Sequence, residues 1–177
     1  MAETRIVSII GKKNAGKTTL AVALSAEFAR KGRRVMCIKH GVHPADPDRP
    51  GSDGHRLFFE GKAERVIIAA PGMRVVFERR PDDADPIALA RQYFEGAHLV
   101  LVEGYRAAAL PKIEVFRRQA SDSPIFDPTL PNADQWLAIV TDDERFEAPC
   151  SVLRFRDTMW LQLLANLAWD KAKIIAD

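Results

Sequence analysis

Apolar residues along the chain fall into short runs, and the spacing within each run indicates the element that it forms. Residues 5–10 are a strand-length run rich in β-branched side chains, which is typical of a strand buried in a parallel sheet. Residues 18–31 space their apolar positions as a helix does, and Gly32 follows where a helix C-cap is expected. Residues 34–38 predict a second strand. This order predicts a right-handed parallel unit and therefore an α/β fold.

The next part of the chain predicts a loop, a short helix and a hairpin. Residues 39–52 have no periodicity and contain three prolines and two glycines, which excludes the interior of a helix or strand. A short helix is predicted for residues 53–61, and strands are predicted for 65–69 and 75–79. Pro71-Gly72 lies between these strands and predicts a hairpin turn. We expect this hairpin to make the sheet mixed.

The second half of the chain continues the alternation of strands and helices. Residues 86–94 predict a helix with its proline in the first turn, and residues 98–102 predict a buried strand. Further strands are predicted for 113–116, 137–140 and 152–155, with a loop over 121–135. Asp157 is expected to cap a last amphipathic helix. The pattern predicts one domain over residues 1–177, with a predominantly parallel mixed sheet flanked by helices.

Residues 11–18 read Gly-Lys-Lys-Asn-Ala-Gly-Lys-Thr and match the P-loop spacing G-x-x-x-x-G-K-[ST] at every fixed position. The glycines of such a loop let N–H groups point at an anion, and the following helix adds the positive end of its dipole. The motif therefore predicts a polyphosphate site, with Lys17 at the β- and γ-phosphates and the Thr18 hydroxyl on Mg²⁺. The other expected phosphate-site residues are Gly11, Asn14, Ala15, Gly16 and Thr19.

Glu103 follows four apolar residues, 99–102, at the predicted carboxyl end of a strand. This is the arrangement of a Walker B element, whose carboxylate orients Mg²⁺ directly or through a water molecule. We therefore expect Glu103 and Lys17 to be the catalytic residues, and Glu103 and Thr18 to be the metal ligands. The alternative is a structural acid, because many strands end in one.

Charge and cysteine content exclude several classes of protein. The net charge is +2, from 26 basic and 24 acidic residues, which is too balanced to indicate a nucleic-acid or membrane surface. Cys37 and Cys150 are the only cysteines, and their separation indicates neither a disulfide framework nor a zinc site. No apolar run has the length of a membrane span, and no signal peptide is recognisable. We expect a cytoplasmic protein.

Four further segments accompany the P-loop: 38–40 with the acids that follow, 101–105, 111–117 and, more weakly, 141–142. Together with the P-loop, these segments resemble the MobB family, the GTP-binding adapter proteins of molybdopterin-guanine dinucleotide biosynthesis. The resemblance implies a P-loop NTPase-like fold, GTP and Mg²⁺ as cofactors, slow GTP hydrolysis and a homodimer. It also implies that the chain assists the guanylyltransferase that joins GMP to molybdenum-loaded molybdopterin, and that it meets molybdopterin-bearing proteins.

Residues 39–53, which comprise the loop after the second strand and the first residue of the predicted short helix, contain two histidines and three acids that can bind a ligand. Imidazole and carboxylate groups suit Mg²⁺, another metal or a pterin, and the alternative is a solvated loop whose acids stabilise turns. The family resemblance favours a binding role for His40, Asp46, Asp48 and Asp53.

Guanine selection has one candidate residue, because the Asn-Lys-x-Asp motif of many GTPases is absent from the chain. Asp142 follows the strand predicted for residues 137–140. Its carboxylate can accept from the N1 and N2 hydrogens of guanine, and adenine has neither donor. The alternative is that Asp142 belongs to an ordinary turn after a strand.

Two other functions are compatible with a P-loop. A small-molecule kinase needs a lid with arginines that closes over the phosphates, and the candidates are Arg79-Arg80 and Arg117-Arg118. A nucleotide-sensing interaction module needs a switch segment that the γ-phosphate orders, and residues 39–53 are the candidate.

Overall fold

A computed structural model describes residues 3–41, 48–80 and 84–175. The chain divides into two compact units, one formed by residues 1–40 and 85–177 and the other by residues 41–84. Each unit has its own sheet and its own apolar core. The expectation of a single domain over residues 1–177 stays a prediction.

Nine strands and four helices form in the described part of the chain. The strands are β1 (Thr4–Ile10), β2 (Val35–Lys39), β3 (Arg65–Ala70), β4 (Met73–Glu78), β5 (Leu99–Glu103), β6 (Lys112–Phe116), β7 (Trp136–Thr141), β8 (Ser151–Arg154) and β9 (Lys173–Ile175). The helices are α1 (Lys17–Arg30), α2 (Asp53–His55), α3 (Pro86–Tyr93) and α4 (Trp160–Lys171), with a π-helical turn over Arg56–Glu60 and a 3₁₀ turn over Ala133–Gln135. None of the described helices is long and apolar enough to cross a lipid bilayer.

The first unit is built on a seven-stranded sheet in which six strands run parallel in the order β2-β5-β1-β6-β7-β8. The seventh strand, β9, pairs antiparallel with the start of β1. Register places Glu103 of β5 opposite Ile9 of β1 on one side and opposite Lys39 of β2 on the other. The carboxyl ends of β1, β2 and β5 therefore meet at one edge of the sheet, as the predicted α/β fold requires.

Both faces of this sheet are covered, which explains the near-continuous apolar runs of its central strands. Val7 and Ile9 of β1 belong to the core that α1 and α4 share, whereas Ile6 belongs to the core that contains Ala90 of α3. All three β1 side chains are fully buried, and full burial of such a side chain stabilises the fold by about 1.5–3 kcal/mol. The predicted predominantly parallel mixed sheet with flanking helices is confirmed.

The second unit contains the predicted hairpin, in which β3 and β4 pair antiparallel as a separate two-stranded sheet. One face of the hairpin packs on Phe58, and Phe58, Val66 and Phe77 form the small core of this unit. The expectation that this hairpin makes the main sheet mixed was wrong. The antiparallel strand of the main sheet is β9, because the start of β1 provides an edge that β9 can pair with.

The predicted cap of the last helix was also wrong. The N-cap of α4 is Met159 in the left-handed conformation, without a capping side chain. The Asp157 carboxylate instead accepts a hydrogen bond from the N–H of Arg154 at 3.2 Å. Asp157 thus stabilises the turn between β8 and α4, which is the other common role of an aspartate near a helix start.

Candidate functional site

The loop between β1 and α1, residues 11–16, has the backbone that a P-loop needs. Gly11 has a φ of +150°, and a Cβ there would lie 2.6 Å from the carbonyl oxygen of Val115, so only glycine fits. Gly16 is the N-cap of α1 with a φ of 100°, and Asn14 is also left-handed. No described side chain caps α1 and its first turn holds no acid, so its N–H groups can bind an anion.

A cleft of about 460 Å³ opens at the start of α1. It is lined by Lys13, Asn14, Gly16, Lys17, Thr18, Thr19, Lys39 and Glu103. The Lys17 ammonium donates to the carbonyl oxygen of Lys12 at 2.9 Å, which holds its charge at the P-loop. Ala15 is a buried residue of this loop, so it contributes its backbone and not its side chain to the cleft. The structure thus brings together the P-loop residues and the acid that the sequence predicted.

Thr18 and Glu103 are in direct contact inside this cleft. The Thr18 hydroxyl lies 2.9 and 2.8 Å from the two carboxylate oxygens of Glu103. Lys39 joins them, because its ammonium donates to the Thr18 hydroxyl at 3.2 Å and lies 3.2 Å from Glu103 Oε1. The site is therefore a compact group of one hydroxyl, one carboxylate and one ammonium.

Lys39 was not predicted as a site residue. The sequence feature that could have indicated a site role for Lys39 is its position directly after the strand predicted for residues 34–38. In the structure this strand, β2, pairs with β5, which ends in Glu103. Sequence pattern shows which residues end strands, but it does not show which strands are neighbours. The contact of Lys39 with Glu103 therefore required the sheet order.

Asp142 directly follows β7, at the same edge of the sheet as the P-loop and two strands away from β1. Its side chain is exposed, and Oδ1 accepts a hydrogen bond from the N–H of Arg118 at 3.0 Å. The neighbouring Asp143 forms an ion pair with the Arg118 side chain at 2.8 Å. The role of Asp142 in reading guanine stays a prediction.

The Pro-Lys-Ile-Glu segment contributes two buried charges with complete hydrogen bonding. Lys112 donates to the carbonyl oxygens of Ala108 and Leu110 at 2.8 and 3.0 Å and to Gln135 Oε1 at 2.5 Å. Burial lowers the pKa of Lys112. These hydrogen bonds hold the segment before β6, which contains Ala108 and Leu110, and the 3₁₀ turn before β7, which contains Gln135.

Glu114 fixes the loop before β7 in the same way. Its carboxylate accepts from the N–H groups of Ile125 and Phe126 at 2.5 and 2.9 Å and from the Trp136 indole at 2.9 Å. Burial raises the pKa of Glu114, against the effect of these three donors. The segment that supports the family resemblance is thus a structural part of the sheet.

Residues 39–53 supplied four predicted binding residues, His40, Asp46, Asp48 and Asp53. The backbone N–H of His40 donates to the carbonyl oxygen of Glu103 at 2.9 Å. The centroid of its imidazole ring lies 4.4 Å from that of the Tyr105 ring. Asp48 and Asp53 belong to the second unit, and Asp46, like His43, lies outside the described residues. Among residues 3–41, 48–80 and 84–175, no group of three His, Cys, Asp or Glu side chains is placed to hold a metal ion.

Asp48 has a clear structural contact in its own unit. It accepts from the Ser52 hydroxyl at 2.5 Å, and this hydrogen bond lowers the pKa of the Asp48 carboxyl. Ser52 is the N-cap of α2, and Asp53 is the first residue of that helix. The contact is what the turn-stabilising alternative predicts, and a ligand role for either acid stays a prediction.

The arginines that a kinase lid would use contact aromatic rings or acids of their own unit. Arg79 stacks on the Phe58 ring at 4.2 Å, and Arg80 pairs with Glu78 at 3.0 Å, all within the second unit. Arg117 stacks on the Phe155 ring at 4.1 Å and lies behind Gly16, with a buried Nε that has no hydrogen-bond partner among the described residues. These contacts give no support to the kinase alternative.

Comparison with known proteins shows which family the chain resembles. Residues 6–142 match the family model of MobB, described as molybdopterin guanine dinucleotide synthesis protein B. A molybdopterin-guanine dinucleotide biosynthesis adapter protein of Haemophilus influenzae is 32% identical over 139 residues, which are 77% of this chain and 74% of that protein. The protein of the same name from Escherichia coli is 32% identical over 112 residues, covering 62% of this chain and 63% of that protein.

Solved structures share the fold. The crystal structure of Bacillus subtilis MobB has a TM-score of 0.66 at 19% identity and covers 92% of this chain and 97% of its own. The X-ray structure of a MobB homolog from Bacillus stearothermophilus has a TM-score of 0.64 at 22% identity, with the same coverage. The fold is P-loop NTPase-like, as predicted. The family model covers most of the chain, and we conclude that the chain belongs to the MobB family.

Proposed function

We propose that this chain binds GTP with Mg²⁺ in the P-loop cleft and serves as an adapter in molybdopterin-guanine dinucleotide biosynthesis. In this role it assists the guanylyltransferase that joins GMP to molybdopterin. The observation that carries the proposal is the contact of Thr18 with Glu103 beside Lys17, at the start of α1. The names of the relatives from Haemophilus influenzae and Escherichia coli support the pathway.

The donor set of the cleft fits magnesium. Hydroxyl and carboxylate oxygens are hard ligands, and Mg²⁺ in phosphate sites takes one or two protein oxygens and completes its shell with phosphate and water. The Lys39 ammonium contacts both the Thr18 hydroxyl and the Glu103 carboxylate, and this contact supports a cation at this position. When bound, Mg²⁺ supplies neutralisation of the charge on the β- and γ-phosphate oxygens.

The residues of the chain have separate roles in this proposal. The N–H groups at the start of α1 orient the phosphates, and Lys17 exchanges the carbonyl oxygen of Lys12 for a phosphate oxygen. Glu103 is the acid in the lining of the cleft; with Thr18 it would hold Mg²⁺, and we also assign it the orientation of the attacking water. Hydrolysis of GTP is slow in this proposal, as the family resemblance implies.

The first prediction tests the phosphate site. Lys17→Ala should weaken GTP binding by about ten- to hundredfold, because a charged hydrogen bond to phosphate is lost. The measurement is isothermal titration calorimetry with GTP and with ATP, together with a thermal melt to show that the fold is intact. Lys171→Ala is the control, since it removes an exposed lysine at the end of α4. Equal affinities in wild type and Lys17→Ala would contradict the P-loop assignment.

The second prediction tests guanine selection. Asp142→Asn should lower GTP affinity by about one to two decades and raise the affinity for xanthosine triphosphate, because the amide can donate to the xanthine C2 carbonyl. Competition calorimetry with both nucleotides measures the change. Asp143→Asn is the matched control, since Asp143 pairs with the Arg118 side chain in the same turn. If both variants select bases as wild type does, Asp142 is a turn residue only.

The proposal includes a homodimer and a cytoplasmic location. Support for a dimer comes from the second unit, where Ile67 and Val76 lie opposite each other on the hairpin and are 59% and 50% exposed. A two-stranded hairpin is marginally stable alone and gains from a second apolar layer. Free cysteines and a balanced charge suit the cytoplasm.

A further inference from the structure

Lys39 sits where a metal ion would be expected in this cleft. Its ammonium lies 3.2 Å from the Thr18 hydroxyl oxygen and 3.2 Å from Glu103 Oε1, the two groups assigned to magnesium. An ammonium group and a divalent cation compete for the same carboxylate oxygen, since both are attracted by its negative charge. The position of Lys39 therefore conflicts with a metal that binds the same two side chains.

The exposures of the two partners differ in a way that makes this contact reversible. The Glu103 side chain is 13% exposed, whereas the Lys39 side chain is 63% exposed. An exposed ammonium keeps most of its hydration, so its ion pair contributes little and breaks at low cost. The carboxylate stays in place because β5 is a central strand, while the lysine side chain is free to rotate away.

We propose that Lys39 is an internal cation that occupies the magnesium position of the nucleotide-free protein and leaves it when the metal binds. The proposal rests on the assignment of a magnesium nucleotide to this cleft. Lys39 keeps the Glu103 charge compensated in the absence of metal. Lys39 thereby lowers the affinity of the nucleotide-free cleft for a divalent ion. When a nucleotide binds without Mg²⁺, the Lys39 ammonium supplies part of the positive charge that the metal would supply.

The first experiment uses the metal alone. Binding of Mn²⁺ to the nucleotide-free protein is measured by electron paramagnetic resonance for wild type, Lys39→Met and Lys31→Met. Removal of a positive charge next to Glu103 should tighten Mn²⁺ binding about tenfold in Lys39→Met. Lys31→Met is the matched control, because Lys31 pairs with Glu27 at 3.3 Å near the other end of α1. Glu103→Gln should remove the signal of this site.

The second experiment measures the affinity for a fluorescent GTP analogue in Mg²⁺ and in EDTA. The ratio of the two affinities should be about tenfold larger in Lys39→Met than in wild type, since the variant lacks the replacement cation. Lys39→Gln should behave like Lys39→Met, and it is the variant to use if the methionine substitution impairs folding.

Either of two results overturns the proposal. One is Mn²⁺ binding to Lys39→Met that is no tighter than to wild type, and the other is an unchanged ratio of affinities. Failure of the wild type to bind the GTP analogue in Mg²⁺ would instead overturn the proposed function. The manganese experiment then still decides the role of Lys39, because it needs no nucleotide.

Discussion

Charged residues in the first unit are of two kinds, and burial separates them. Lys112 and Glu114 are fully buried and hydrogen-bonded to neighbouring segments, so their charges are tied to the fold. Lys17 and Lys39 line the open cleft, and each has a contact that a ligand can replace. A buried charge that loses its partners is costly, whereas an exposed one regains water. The cleft residues are thus the ones suited to exchange partners on binding.

Glu114 carries a prediction about pH. Burial raises its pKa above the ordinary value of 4.5, so the folded state holds this proton more tightly than the unfolded state. The contribution of the group to stability is therefore complete below pH 4.5 and is lost as pH rises through the raised pKa. In Glu114→Gln this loss is absent, so the stability of wild type relative to the variant should fall with rising pH.

Urea unfolding of wild type and Glu114→Gln between about pH 4 and pH 8 measures this difference. Trp136→Phe is a useful control because it removes one donor and keeps the carboxyl group, so its profile should retain the pH dependence. A stability difference between wild type and Glu114→Gln that is the same at every pH would show that Glu114 is not shifted.

Among the elements, the P-loop depends on the strand beside it. Gly11 faces the carbonyl oxygen of Val115 in β6, and a Cβ at this position would clash with backbone that cannot move aside. Gly32, at the other end of α1, is also left-handed but has no atom within 4 Å of the Cβ position among the described residues. Both glycines therefore need a positive φ, and only Gly11 also has neighbouring backbone where a Cβ would lie.

This pair gives the next prediction. Gly32→Ala should destabilise the protein by about 1–2 kcal/mol, from the left-handed backbone alone. Gly11→Ala should lower the free energy of unfolding by the same amount and by about 1–3 kcal/mol more, because the added methyl group overpacks against Val115. It should also weaken GTP binding. Urea unfolding and calorimetry measure the two effects. Equal destabilisation by both substitutions would mean that the contact with Val115 relaxes without cost.

Sequence pattern predicted the elements whose signals are local. The apolar run of β1, the P-loop and the helix after it, and the hairpin turn at Pro71-Gly72 all formed where expected. Contacts between distant segments could not be predicted in this way. β9 has three residues and no periodicity, and the pairing of Lys39 with Glu103 depends on sheet order. Propensity acts over a few residues, whereas these contacts depend on which strands are neighbours.

For the whole molecule, sheet order determines where the cleft forms. The chain passes from β1 to β2 and returns to β5 between them, while β6 lies on the other side of β1. Connections that leave a strand in opposite directions open a crevice at the carboxyl ends of the strands. At this edge the P-loop follows β1, Glu103 is the last residue of β5, and Asp142 follows β7. The proposed GTP complex, with its phosphates at β1 and its base toward β7, is compatible with this order.

The last prediction concerns the proposed homodimer and the exposed face of the hairpin. Ile67→Asp should convert the dimer to a monomer, because a charge on an apolar contact face must be buried without a partner. Light scattering after size-exclusion chromatography measures the mass of wild type and variant over a range of concentrations. Val22→Asp is the control, since Val22 is 64% exposed on α1 in the first unit and should leave the dimer unchanged. Circular dichroism checks that both variants fold. If wild type is a monomer, or if Ile67→Asp dimerises as tightly as wild type, this face of the hairpin is not the dimer interface.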